Sequence, residues 1–197
     1  MDNDDEVRCI VIAGKGECFS AGIDITMFMS DFQINEDMSS TPADRKKLKK
    51  QIQKMQDAFT ALSKTSVPVI ALAHGHCIGG ATALISACDI RISTKDARFS
   101  IGETKLGLVA DVGVLQRMPK IVSKGDLREL AYTGRIFGGE YAEKIRFVSS
   151  TYDNFHDLFD AGVQLAEEIA SNASNICLLY TSPSPRDVEE SRMPSSA

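Results

Sequence analysis

The chain has 197 residues, 43% of them hydrophobic, which suffices for one domain with a sizeable core. Its 27 acidic and 22 basic residues leave a formal net charge of −5, the opposite of the basic face that a nucleic-acid binder presents. No apolar run approaches the roughly 20 residues of a membrane-spanning helix.

The acidic opening Met1-Asp-Asn-Asp-Asp-Glu6 is neither the basic start of a secretory signal nor the acid-poor start of a transit peptide. It runs at once into Val7–Ala13, nearly all apolar, as though the chain began partway through a domain. That run reads as a strand covered on both faces. A loop over Gly14–Ser20 follows, then Ala21-Gly-Ile-Asp24, a short amphipathic segment and a polar loop over 31–42. Thr41-Pro-Ala-Asp44 has the form of a helix start, with a threonine cap and proline at the first helical position. Leu48, Ile52, Met55, Phe59 and Leu62 then make one apolar stripe, and the run Arg45-Lys-Lys-Leu-Lys-Lys50 falls largely on the wet face of that helix.

Val67–Ala73 is the next expected strand and Gly80–Ala87 a short helix of small residues. Strands are expected over Asp89–Ser93, Arg98–Ile101 and Phe147-Val-Ser149. A glycine-punctuated turn over Leu106–Gly113 leads into a helix through Leu115 and Met118, and further helices are expected over Asp126–Thr133 and Asn154–Ser171. No internal repeat is visible. Strands alternating with helices give an α/β fold with a largely parallel sheet. From Asn175 the text loses all periodicity, and Pro183 and Pro185 forbid a regular helix, so 1–174 reads as the domain and 175–197 as a disordered or foreign tail. Five scattered cysteines (Cys9, Cys18, Cys77, Cys88 and Cys177), none in a CxxC pair, read as buried reduced thiols of an intracellular protein and not as zinc ligands.

Ala73-His-Gly-His-Cys-Ile-Gly-Gly-Ala81 carries the most chemistry: a buried strand, a tight glycine turn and a first helical turn. Such a turn aims unpaired N–H groups at one point, which suits a phosphate or the oxygen of a thioester becoming an enolate. The phosphate reading is weak. Gly14-Lys15-Gly16 lacks the spacing and ending of a P-loop, and Gly75–Gly80 lacks the second glycine of a dinucleotide fingerprint. The enolate reading gains from Ser20-Ala-Gly-Ile-Asp24, a second glycine loop that can supply another donor. From spacing alone, the plainer reading, that these glycines permit sharp turns and close packing, is the stronger.

Glu103 and Asp111 draw attention next. Asp111 lies in the apolar, glycine-rich stretch Leu106–Gly113, where burial raises a carboxyl pKa toward the range useful for acid–base work. Each acid alone reads as solvated or capping; together, across a tight turn, they can flank one ligand. His74 and His76 sit where they can touch that ligand, His156 reads as surface, and Cys77 as a packed turn residue. No Gly-x-Ser-x-Gly elbow supports a hydrolase.

Ser20-Ala-Gly-Ile-Asp24, His74-Gly-His-Cys-Ile-Gly-Gly80, Ala87-Cys-Asp-Ile-Arg91 and Leu106–Arg117 resemble the enoyl-CoA hydratase/isomerase (crotonase) superfamily over residues 6 to about 172. The run from Ala-Asp-Val-Gly to Leu-Gln-Arg117 resembles its Δ3,5-Δ2,4-dienoyl-CoA isomerase branch. The resemblance implies a crotonase (ClpP/crotonase-like) spiral of ββα turns, with two layers of roughly perpendicular sheet, lacking the first strands and the C-terminal trimerisation helices. It implies an oxyanion hole from the backbone N–H groups of Ile23 and Gly80, and substrate contacts from Ala21, Gly22, Asp24, Gly79 and Leu108. Glu103 and Asp111 would then be the proton-transfer pair, Glu103 at C2 and Asp111 at C6 of an acyl-CoA thioester in fatty acid β-oxidation. Neither metal nor redox cofactor is implied, since CoA belongs to the substrate. Family members form homotrimers and hexamers and work in mitochondria and peroxisomes.

One departure is Ala83, where the resemblance calls for an acid three residues beyond Gly80. Its loss argues against hydration, which needs two carboxyls on one water, and opens two alternatives. One is a non-catalytic acyl-CoA-binding fragment or pseudoenzyme; the other is an isomerase that uses Glu103 or Asp111 alone.

Overall fold

A computed structural model describes residues 6–24 and 41–172. The segment after Asp24, most of the 31–42 loop, and the 175–197 tail with Cys177 lie outside the described residues.

Four parallel strands form the larger sheet, in the order β1 (Ile10–Ala13), β2 (Val69–Ala73), β4 (Ile90–Thr94) and β7 (Thr151–Tyr152). Every residue of β2 is buried, as its unbroken apolar run requires. Its side chains alternate between two cores: Val69, Ala71 and Ala73 join the main cluster, whereas Ile70 and Leu72 join Ile92 and Leu158 on the opposite face. That second face is covered by α6 (Phe155–Ser171), whose cap Asn154 accepts from Asp157 N–H. Gly162 allows the approach, because a Cβ there would stand 2.5 Å from Leu72 Cδ2. The expected first strand is corrected: it begins at Ile10 rather than Val7 and is only half-buried, being the edge of its sheet among the described residues.

A second sheet holds β3 (His76–Ile78) parallel to β5 (Arg98–Ser100), with β6 (Phe137–Gly138) antiparallel on the far side. Neither β3 nor β6 has enough residues to show a period. The Phe147-Val-Ser149 strand is also corrected. Phe147 and Val148 are buried in a turn in which both N–H groups reach Ala142 O, after Arg146 at φ +66°. Their apolar character reflects the core, where the Phe147 ring meets Phe99 edge-on at 5.5 Å and Phe137 at 6.0 Å. Phe99→Ala is therefore expected to cost about 3–5 kcal/mol, read as a lowered denaturant midpoint at unchanged m-value.

The helices largely follow the sequence. α1 (Pro42–Lys64) has the full capping box between Thr41 and Asp44, and all five stripe residues are half-buried, with Met55 and Phe59 against the main core. α2 (Gly80–Ile85) is followed by α3 (Val114–Arg117), by α4 (Lys124–Thr133), capped by Ser123, and by α5 (Gly139–Lys144). Among the described residues no helix is long and apolar enough to cross a membrane.

Candidate active site

Backbone pairing, more than side chains, joins the two glycine loops. Ser20 N–H donates to His76 O (2.9 Å) and Ile78 N–H to Ser20 O (3.1 Å), while Phe19 N–H reaches His74 O (2.8 Å). Residues 19–20 thus lie along β3 like a short extra strand. The approach needs glycine at two places. A Cβ at Gly75 (φ +53°) would run into Glu17 O, and one at Gly22 (φ +97°) would stand 2.8 Å from Ile78 O. The plain packing reading is thus correct for these residues, and the same packing delivers Ile23 to the start of α2.

There Gly79 (φ +57°) donates to Ser100 O at 2.8 Å, and Gly80 opens the helix, where an N–H has no intrahelical partner. A Cβ on Gly80 would lie 3.8 Å from Ile23 Cγ1, so the two loops meet side by side. Among the described residues neither the Ile23 nor the Gly80 N–H has a hydrogen-bond partner.

Glu103 begins the 3-10 turn Glu103–Leu106 and faces the same glycines: its Oε1 is 3.5 Å from where a Gly79 Cβ would be. Its Oε2 is buried and unpartnered among the described residues. Burial raises the Glu103 pKa above the ordinary carboxylate range, and the negative charge of Asp111 adds to the shift. Asp111 is half-buried, and burial raises its pKa as well. The charge of Asp111 therefore reaches the Glu103 carboxyl, whereas the Asp111 shift comes from burial.

The other expected contacts spread outward from this point. Ala21 and Asp24 are exposed and Gly22 half-buried beside Ile23. Leu108, 41% exposed, lines a groove of about 330 Å³ with Val109, Ala110, Leu127 and Tyr132. His76 is exposed on β3, but His74 is corrected: it is buried and acts as a strut. Its Nε2–H donates to Gly16 O at 3.0 Å and its ring packs on Phe155 at 4.3 Å. His156 is a surface residue beside Asp160 (3.5 Å). The Cys77 thiol is buried, which pushes its pKa up and removes it as a nucleophile.

Ala83 has no exposed surface and sits in the main core cluster. Among the described residues no cluster of three or more His, Cys, Asp and Glu side chains is placed to hold a metal ion. Sequence reasoning missed Gln56, whose Nε2 donates to Asp111 O at 2.6 Å. The one signal for it was its place on α1 beside Met55 and one turn beyond Ile52, on the edge of the inward stripe.

The sequence model described as enoyl-CoA hydratase/isomerase matches residues 1–195. The chain is 38% identical over 177 residues to the mitochondrial Δ(3,5)-Δ(2,4)-dienoyl-CoA isomerase of Dictyostelium discoideum, a match covering 88% of this chain and 59% of the relative. It is also 38% identical over 173 residues to the peroxisomal protein of that name from Arabidopsis thaliana, covering 88% and 62%. Among solved structures, an enoyl-CoA hydratase from Bacillus anthracis superposes with a TM-score of 0.76 at 28% identity, over 87% of this chain and 62% of that one. The chain thus spans about three fifths of the length of these relatives.

Proposed function

This chain belongs to the enoyl-CoA hydratase/isomerase family, and we propose that it carries the proton-transfer site of an isomerase converting 3,5-dienoyl-CoA to 2,4-dienoyl-CoA. The observation that carries this reading is the buried Oε2 of Glu103, unpartnered among the described residues, on a carboxyl whose Oε1 stands against Gly79 and which feels the charge of Asp111.

In the proposed reaction, Glu103 as carboxylate removes a proton from C2. The C2–H electron pair moves into the C1–C2 bond, and the thioester oxygen takes up the negative charge. The N–H groups of Ile23 and Gly80 stabilise that oxygen. The charge is conjugated to C6, where protonated Asp111 delivers its proton; the double bonds then stand at C2 and C4, and the thioester carbonyl is restored. No atom is gained or lost. The cycle leaves Glu103 protonated and Asp111 ionised, so exchange with solvent resets the pair.

The relatives' names support this substrate class, and with it β-oxidation in a mitochondrion or peroxisome as the setting. Ala83 favours one competing reading, an acyl-CoA binder without turnover. Ultraviolet-monitored conversion of a 3,5-dienoyl-CoA tests the two: turnover supports the isomerase, whereas saturable binding with no turnover selects the binder.

The oxyanion donors have their own test. Gly80 opens α2, where proline is tolerated because its missing N–H costs no helical hydrogen bond. Gly80→Pro is expected to lower kcat by roughly 10²–10³-fold, the effect of deleting one oxyanion donor. Circular dichroism should show the fold retained, and unchanged kcat would remove Gly80 from the hole.

A further inference from the structure

We propose that Gln56 is a positioning residue for Asp111, so that α1 sets where the second acid stands. The inference rests on the isomerase reading for its kinetic consequence, but its geometry is independent of that reading.

Asp111 lies in a turn held by little of its own. Its N–H reaches Val109 O at 2.9 Å, and Gly113, two residues later, has φ +99°. The tie to the rest of the fold comes from α1, more than fifty residues earlier. Gln56 Nε2–H donates to Asp111 O at 2.6 Å. One turn further along, Thr60 Oγ1 accepts from Arg117 Nη2 at 3.2 Å, and Arg117 Nη1 donates to Val112 O at 3.1 Å. The guanidinium occupies the space a Cβ on Gly113 would need, so glycine there makes room for the clamp.

Consecutive carbonyls, of Asp111 and Val112, are thus each held by a side chain, one from α1 and one braced against it. No residue of α1 is fully buried, and its apolar contact with the main core comes from Met55 and Phe59. The seating of this helix and the position of the acid are therefore coupled through Gln56. Its amide donates to the backbone of Asp111 and leaves the carboxyl free for chemistry.

The test compares Gln56→Met, which keeps length and helix propensity but has no donor, with Gln53→Met. Gln53 is exposed and bonds Asp57 within the helix at 2.9 Å, so its variant controls for a change of residue on α1. With 3,5-dienoyl-CoA, Gln56→Met is expected to lower kcat by about tenfold at unchanged KM, as misplacing a reacting group does, and Gln53→Met to leave both unchanged. In an Asp111→Asn background the Gln56→Met effect should vanish, because its route runs through that acid. An undiminished effect in that background, or an unchanged kcat in the single variant, would overturn the inference.

Should the unsubstituted protein turn over no dienoyl-CoA, the isomerase reading fails and the inference is judged by carbon-13 NMR of the Asp111 carboxyl. Movement of its resonance and titration midpoint in Gln56→Met but not Gln53→Met supports it. An unmoved resonance overturns it.

Discussion

Glu103→Gln is expected to cut turnover of a 3,5-dienoyl-CoA by roughly 10²–10⁴-fold, the usual worth of a positioned base, and at the same time to raise the melting temperature at neutral pH. The two effects have one cause. Burial and the charge of Asp111 raise the Glu103 pKa above its ordinary 4.5, so the folded protein prefers the neutral acid and ionisation works against folding. The favourable neutral form is fully present below about pH 4.5 in both states, and its contribution is lost as pH climbs through the raised folded-state value. Glutamine keeps the neutral form at every pH. The stability gained by Glu103→Gln should therefore be absent near pH 4.5, grow as pH rises, and level off above the folded-state pKa. Thermal melts of both proteins between pH 5 and 8 read this directly. A gain that shrinks with rising pH would mean that Glu103 is not held in a desolvated site, and the base assignment would lose its physical support.

The same tension explains which parts of the molecule were legible in the sequence. Val69–Ala73 announced itself because both its faces are covered, and the stripe from Leu48 to Leu62 because a helix repeats its inward face every three or four residues. β3 and β6, with three and two residues, carry no period, and they exist because Phe99 and its neighbours give them a strand to pair with. Phe147 misled for the complementary reason: a buried turn in an aromatic core is as apolar as a strand.

At the site, Glu103 and Asp111 stood out as acids in apolar text, an energetic oddity that survives without coordinates. His74 looked like a ligand-facing residue because proximity in sequence to the glycine turn says nothing about direction. In space its ring turns toward Phe155 and Gly16. Gln56 showed only its place at the edge of the inward stripe, for a different reason. Its role depends on a contact across 55 residues, and only the packed fold puts α1 beside the 111–113 turn.

Asp111→Asn should separate the two halves of the proposed reaction. Protonation at C6 needs an acidic proton, and a carboxamide has none to give at neutral pH. Isomerisation is expected to fall by roughly 10²–10⁴-fold, as for loss of a general acid. The C2 step belongs to Glu103, which the substitution leaves in place, and the Ile23 and Gly80 donors are unchanged. In deuterium oxide the variant should therefore keep exchanging the C2 protons of bound substrate, returning each dienolate to the 3,5-isomer with label at C2. Glu103→Gln should lose exchange and isomerisation together. Mass spectrometry of recovered substrate reads the label, and ultraviolet absorbance reads the product. If Asp111→Asn instead loses exchange while Glu103→Gln keeps it, the acids have the reverse assignment. The dienolate mechanism would survive that result, because either order moves one proton off C2 and one onto C6. If neither variant loses turnover, the acids are not the proton carriers, and the buried carboxylate at Gly79 would need a different explanation.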